Sequence, residues 1–153
     1  MIITISDKQT HHFEFCVEAD RFEDYGDELE GHPDQNGISV IGSLRRKNAH
    51  LLAVDLHLSG TMIYPCARCL SPVPVGIELD YSDDYELQEG QDTVDLIPMV
   101  EECLFIHEPY RVLCDEECKG LCPGCGVNLN EEQCQCSQEA EIDPRLAALK
   151  SLL

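Results

Sequence analysis

Leu51-Leu52-Ala53-Val54-Asp55-Leu56-His57-Leu58-Ser59-Gly60 is the stretch that decides the fold class of this chain. Leu52, Val54, Leu56 and Leu58 fall on one face of an extended strand, and Ala53, Asp55, His57 and Ser59 fall on the other. That is the period of a strand with one face in a core. Upstream, Ile38, Val40, Gly42 and Leu44 share a face in the same way, and Arg45-Arg46-Lys47-Asn48 supplies a polar turn between the two runs. The pair reads as an antiparallel hairpin, with Gly60 expected to bend or bulge its second strand.

Outward from the hairpin, Val73, Val75, Ile77, Leu79 and Tyr81 alternate with Pro74, Gly76, Glu78 and Asp80, and Pro74 argues for an edge strand or a strand start. Near the N-terminus Phe13, Phe15 and Val17 oppose His12, Glu14, Cys16 and Glu18, which leaves Cys16 on the wetter side. The acidic stretch from Asp20 to Gly37 reads mostly as loop, with a short helix around Phe22 to Leu29. Asp95 is positioned to cap a helix whose first turn holds Pro98 and whose apolar stripe is Leu96, Val100, Cys103, Leu104 and Ile106; Pro109 ends it. Asp143 and Pro144, followed by Leu146, Leu149 and Leu153, predict a short C-terminal helix. The expected class is α+β: an antiparallel β-sheet or partial barrel with a few short helices and a C-terminal cysteine-rich zinc knuckle. Residues 1–110 are expected to form the sheet domain with its packed helix, and residues 111–153 the knuckle segment and terminal helix.

The chain has 153 residues, a formal charge of −20 and ten cysteines. No stretch approaches the roughly 20 apolar residues of a membrane span, and Met1 to Lys8 lacks the basic and apolar regions of a signal peptide. A cytoplasmic location is the expectation, and in that reducing compartment clustered cysteines point to thiolate metal sites rather than disulfides. The negative field repels phosphate backbones overall and steers basic partners, such as ribosomal proteins. The Arg45 to Lys47 turn reads as a solvated hairpin tip, with an RNA contact the lesser option.

The chemistry concentrates in Cys114-Asp-Glu-Glu-Cys118-Lys-Gly-Leu-Cys122-Pro-Gly-Cys125-Gly, followed by Cys134-Gln-Cys136. Cysteines two or three residues apart let one tight turn offer two of the four tetrahedral sulfurs that zinc takes. Pro123, Gly124 and Gly126 suit such a turn, since they let backbone amides approach the sulfurs. A second pair, Cys66-Ala-Arg-Cys69, follows the strongest strand. Arg68 there, and Lys119 in the knuckle, are candidates to offset thiolate charge.

With Cys16 and Cys103 set aside, eight cysteines remain, enough for two four-sulfur sites. The preferred partition joins Cys122, Cys125, Cys134 and Cys136 in one and Cys66, Cys69, Cys114 and Cys118 in the other, which ties the sheet to the knuckle. The rival partition puts Cys114, Cys118, Cys122 and Cys125 round one ion. Cys103 sits in an apolar helical stripe and reads as a core residue, and isolated Cys16 as structural. His11, His12 and His57 lack metal-like spacing. An all-thiolate cluster offers no open coordination position, and neither a nucleophile elbow, a phosphate loop nor a dinucleotide fingerprint is present, so the expectation is a protein that is not an enzyme and binds no small-molecule substrate. The spacing also fits neither common ferredoxin pattern.

The order of a strand pair, Cys66-Ala-Arg-Cys69-Leu70, an acidic strand, Asp95-Leu96-Ile97-Pro98, Cys118-Lys-Gly-Leu-Cys122-Pro-Gly-Cys125-Gly-Val-Asn128-Leu-Asn130 and Asp143-Pro144-Arg145-Leu146 resembles the YceD family. The resemblance runs from about Ile38 to the C-terminus. It implies a bacterial or organellar factor needed for accumulation of large-subunit (23S) ribosomal RNA, whose cysteine motif falls on Cys66, Cys69 and the C-terminal group. Large-subunit ribosomal proteins or the ribosomal RNA precursor are then the implied partners, and no catalytic residue carries over. The competing class is a thiol redox sensor, in which oxidation near Lys119 or Arg68 releases zinc.

Overall fold

The computed structural model describes residues 1–5, 10–19 and 30–136 of the chain. In chain order it holds β1 (Ile2–Thr4), β2 (His11–Val17), β3 (His32–Arg46), β4 (Leu51–Pro65), β5 (Pro72–Glu86), β6 (Thr93–Asp95) and the helix α1 (Ile97–Ile106). The strands β2-β3-β4-β5 form one open antiparallel sheet in that order, and β1 pairs with β6 in a second, two-stranded one. The sheet does not close into a barrel, so β2 and β5 are its edges.

The alternation in the sequence translates directly into a two-faced sheet. Ile38, Val40 and Leu44 of β3 and Leu52, Val54, Leu56, Leu58, Met62 and Tyr64 of β4 are buried on one face. The half-buried Phe13 and Phe15 of β2 and Val75, Ile77, Leu79 and Tyr81 of β5 extend that face to both edges. Leu96, Met99, Val100, Cys103 and Leu104 from α1 and its approach cover it, helped by Ile5, Leu87 and Val94. The opposite face carries Glu14, Asp55, His57, Glu78 and Asp80, and the His57 ring is answered by Asp80 Oδ1 at 2.8 Å, an ordinary cross-strand contact.

Several expectations need correction. The stretch His32–Gly37, read as loop, is the first part of β3: His32 and Pro33 pair with Ile63 and Met62 of β4, and the ladder resumes at Ile38 after an irregularity across Asp34 to Gly37. The irregularity expected at Gly60 sits on the other strand, where the register shifts between Pro33 and Ile38 and Gly37 takes φ +72. The helix begins one residue later than the capping signal implied. Leu96 is the N-cap and Pro98 the second helical residue, while Asp95 ends β6 and accepts hydrogen bonds from the Ile97 N–H at 3.2 Å and the Met1 amino group at 2.8 Å. Ile106, placed in the apolar stripe, is 61% exposed beside an exposed Phe105. The hairpin tip is also more engaged than a solvated turn: Arg46 donates to Gln91 O at 2.8 Å and Lys47 pairs with Asp84 at 2.6 Å. The helices expected around Phe22 to Leu29 and from Asp143 to the C-terminus lie outside the described residues. No helix among the described residues is long and apolar enough to cross a membrane.

Gly42 marks a tight point in the middle of the sheet. It lies opposite Phe13 on β2 and Leu56 on β4, and a Cβ there would stand 2.4 Å from Asp55 O and 2.7 Å from the Phe13 ring. Neither a ladder carbonyl nor a ring wedged over the strand can retreat cheaply. Gly42→Ala is therefore expected to lower stability by about 1–3 kcal/mol in urea unfolding, and an unchanged midpoint would refute the close packing of Phe13 across Gly42.

Candidate metal centre

Both ends of the cysteine motif are built by the same local device. In Cys66-Ala-Arg-Cys69-Leu70 the Leu70 N–H returns to Cys66 O at 2.9 Å, and in Cys122-Pro-Gly-Cys125-Gly126 the Gly126 N–H returns to Cys122 O at 2.8 Å. The residue after the second cysteine takes positive φ in each, +61 at Leu70 and +75 at Gly126. Gly126 meets that demand without the Cβ clash that Leu70 bears. Each turn aims two sulfurs to one side.

The structure brings the eight candidate cysteines together in two groups, divided as in the preferred partition. Cys66, Cys69, Cys114 and Cys118 form one, Cys122, Cys125, Cys134 and Cys136 the other, and within each all the Sγ atoms lie within 4.8 Å of one another. Neighbouring sulfurs stand 3.9 Å (Cys66–Cys118), 3.5 Å (Cys69–Cys114), 3.2 Å (Cys122–Cys134) and 3.4 Å (Cys125–Cys134) apart. Four thiolates about 2.3 Å from one ion are about 3.8 Å apart, so both groups are close to the size a tetrahedral ion requires. No two are joined as a disulfide. The arrangement sets aside the rival grouping of Cys114 and Cys118 with Cys122 and Cys125. Cys16 and Cys103 join neither group, and burial pushes the Cys103 thiol up to about 11.

The inner group joins the sheet to the chain beyond α1. Cys66, Cys69 and Cys118 are buried together, with Val73, Leu113 and Leu121 packed round them. Arg68, expected to neutralise sulfur, does something different: its guanidinium donates to Cys118 O at 2.7 Å and Glu116 O at 3.1 Å, while its own carbonyl accepts the Leu121 N–H at 3.1 Å. It fastens one ligand loop to the other through backbone. The Ala67 N–H adds a bond to Val112 O at 2.9 Å. The outer group sits on a small hairpin in which Leu121 bridges Asn128, the Cys122 N–H reaches Val127 O at 2.8 Å, and the Leu129 N–H reaches Gly120 O at 2.9 Å.

Charge on the sulfurs is met by dipoles. Amide N–H groups donate to Cys66 Sγ from Cys114 (3.4 Å), to Cys122 Sγ from Gly124 (3.4 Å) and to Cys134 Sγ from Cys136 (3.1 Å). The backbone N–H groups of Arg68, and then Cys114, hold the Cys66 thiol down at about 6; those of Cys125 and Gly124, with the Cys134 thiol, do the same for Cys122. The Ser71 hydroxyl, 3.4 Å away, lowers Cys69. Once one sulfur is ionised its neighbours resist following, and Cys118 and Cys69 push Cys114 up to about 12. A divalent cation among the four sulfurs removes that repulsion, and this donor set of soft thiolates backed by amides fits one. Asn130 was missed as part of the site. Its side chain donates to Cys118 Sγ at 3.2 Å. The Asn128-Leu129-Asn130 string was visible in the sequence, but an asparagine beside a glycine-rich turn reads first as a turn residue.

The profile of the family described as Large ribosomal RNA subunit accumulation protein YceD matches residues 54–153, a span that contains all eight cysteines. The chain is similar to the uncharacterized protein YlbN of Bacillus subtilis, 32% identical over 118 residues covering 67% of this chain and 66% of that protein. It is also similar to an uncharacterized protein of Mycobacterium tuberculosis, 31% identical over 115 residues covering 63% of this chain and 55% of that protein. A third relative, the Large ribosomal RNA subunit accumulation protein YCED homolog 1, chloroplastic, of Arabidopsis thaliana, is 28% identical over 61 residues, 40% of this chain and 19% of its own. The matched stretches thus span between about half and two-thirds of the bacterial relatives' length. No solved structure matches.

Proposed function

Because the chain belongs to the YceD family, we propose that it is a non-enzymatic ribosome-biogenesis factor supporting accumulation of large-subunit ribosomal RNA, built round two structural zinc ions. The observation that carries the zinc reading is the pairing of a sheet-borne Cys-x-x-Cys with a distant Cys-x-x-x-Cys in one four-sulfur group. The ligands are eight thiolates, a donor set that favours zinc over harder cations, and the amides already aimed at the sulfurs stabilise their charge. When bound, the ions supply cross-links for a segment with too little apolar surface to hold itself. With every zinc position taken by cysteine, there is no open site for a reacting water, which supports a structural role.

The partner reading rests on charge. The edge strand β5 exposes Glu78, Asp80, Asp83, Asp84 and Glu86, and the whole chain carries −20. Such an edge attracts a basic large-subunit ribosomal protein and repels bare RNA, so the ribosomal RNA benefits through its protein. Affinity capture of the full chain from growing cells at modest salt, with protein and RNA both identified, tests this. Basic large-subunit proteins are expected, with ribosomal RNA lost when those proteins are stripped by salt. Recovery of neither would overturn the proposal, and RNA that crosslinks directly to this chain would replace escort with RNA binding.

A further inference from the structure

The residues between the two pairs of outer-group cysteines do more than connect them. Asn130 lies between Cys125 and Cys134, yet its side-chain amide points away from its own cluster and grips the inner one. Its Nδ2 donates to Cys118 Sγ at 3.2 Å and to Asn128 Oδ1 at 2.8 Å, and its Oδ1 accepts the Lys119 N–H at 2.8 Å. The Lys119 N–H is a donor only, so it fixes which end of the amide is oxygen and leaves nitrogen facing the sulfur. Asn128 holds Asn130 in turn, since its Oδ1 also accepts the Asn130 backbone N–H at 3.1 Å, while its Nδ2 donates to Glu131 Oε1 at 3.0 Å.

We propose that Asn130 is a positioning residue that couples the two four-cysteine sites: an ion held by Cys122, Cys125, Cys134 and Cys136 fixes the loop that delivers the Asn130 N–H to Cys118, and so tightens the ion held by Cys66, Cys69, Cys114 and Cys118. The inference rests on both groups binding zinc. The hairpin that carries Asn130 is pinned at one end by the Leu129 N–H to Gly120 O bond and at the other by Cys134. Release of Cys134 frees the second end of that hairpin and leaves the asparagine held only from the other, by the Lys119 N–H and the Leu129 to Gly120 bond. A hydrogen bond to a metal-bound thiolate raises its hold on the metal by orienting it and by spreading its charge, and loss of such a partner typically costs 10–100-fold in affinity. Coupling between binding sites is reciprocal, so filling the inner site must tighten the outer by the same factor.

The test uses the full-length zinc-loaded chain, with transfer of zinc to a chromophoric chelator as the rate readout and the thiolate charge-transfer spectrum of the cobalt-substituted protein as the second. The Cys134→Ser/Cys136→Ser variant retains only the inner site and identifies its phase of release. Asn130→Asp keeps an oxygen for the Lys119 N–H but removes the donor to Cys118, and Asn130→Ala removes both. Expected are inner-site release faster by on the order of 10–100-fold in both Asn130 variants, a shifted cobalt spectrum, and a similar acceleration in Cys134→Ser/Cys136→Ser. Adding Asn130→Ala to that background is expected to change little further, because the two lesions act through one contact. Wild-type release rates in both Asn130 variants would overturn the proposal, as would an inner site unaffected by loss of the outer one. A zinc-free wild-type protein would instead sink the metal reading on which it stands.

Discussion

Chain purified in reducing buffer without chelator is expected to carry two zinc ions, and Cys118→Ala to carry one and to lose the attachment of residues 111–122 to the sheet. The physical reason is distance along the chain. Cys69 and Cys114 are 45 positions apart, and bringing such ends together costs about 3 kcal/mol of loop entropy before any contact is made. Beyond α1 little apolar surface is available to offset that: Leu113 and Leu121 are only partly buried, and Tyr110 is wholly exposed. Binding of structural zinc by cysteine-rich peptides supplies on the order of 10–16 kcal/mol at neutral pH, far above the cost of closure. Chelation of the wild-type chain should therefore abolish amide protection across Ala67–Leu70 and Val112–Leu129 while leaving β3 and β4 protected, as read by hydrogen exchange. Full protection after complete zinc removal would refute the cross-link, and so would disulfides in the freshly purified chain.

What the sequence revealed and what it concealed divide along a physical line. The long strands were legible because a sheet with one covered face imposes a period of two, and Leu52 to Leu58 obey it but for the small, buried Ala53. The cysteine grouping was legible because a tight turn presents two sulfurs at once, so Cys66 with Cys69 and Cys122 with Cys125 had to enter as pairs. The pair β1 and β6 was not. Three-residue strands have no measurable period, and Ile2–Thr4 is held by Thr93–Asp95, far along the chain. His32–Gly37 was hidden for a related reason: the polar run Asp34-Gln35-Asn36 reads as a turn, and only pairing with β4 makes its start a strand. Arg68 and Asn130 show a third kind of blindness. Arg68 invited an electrostatic reading next to thiolates, whereas its guanidinium found two carbonyls, and the direction of a long side chain is set by tertiary neighbours.

Leu58→Ala is expected to cost about 2–5 kcal/mol, while Ser59→Ala, one residue on, changes stability by no more than about 0.5 kcal/mol. Leu58 is fully buried at the middle of a central strand, with Val40 opposite it on β3 and Leu79 on β5. Truncation there removes the contact between the two halves of the covered face, and the ladders on both sides keep the backbone from collapsing into the space. Ser59 faces the other way, between Ser39 and Glu78, where water replaces whatever its hydroxyl gives up. Because native domains hold only about 5–15 kcal/mol in all, the first change consumes a large share of the margin. Leu58→Val, which leaves a smaller void, keeps the comparison readable should the alanine variant be too unstable to purify. Equal urea midpoints for the Leu58 and Ser59 variants would mean that the sheet has no dominant face. A one-faced sheet, by contrast, predicts that the Leu58 variants unfold at lower urea yet keep both zinc ions while folded, since the sulfur clusters lie past the end of β4 and take no support from Leu58 itself.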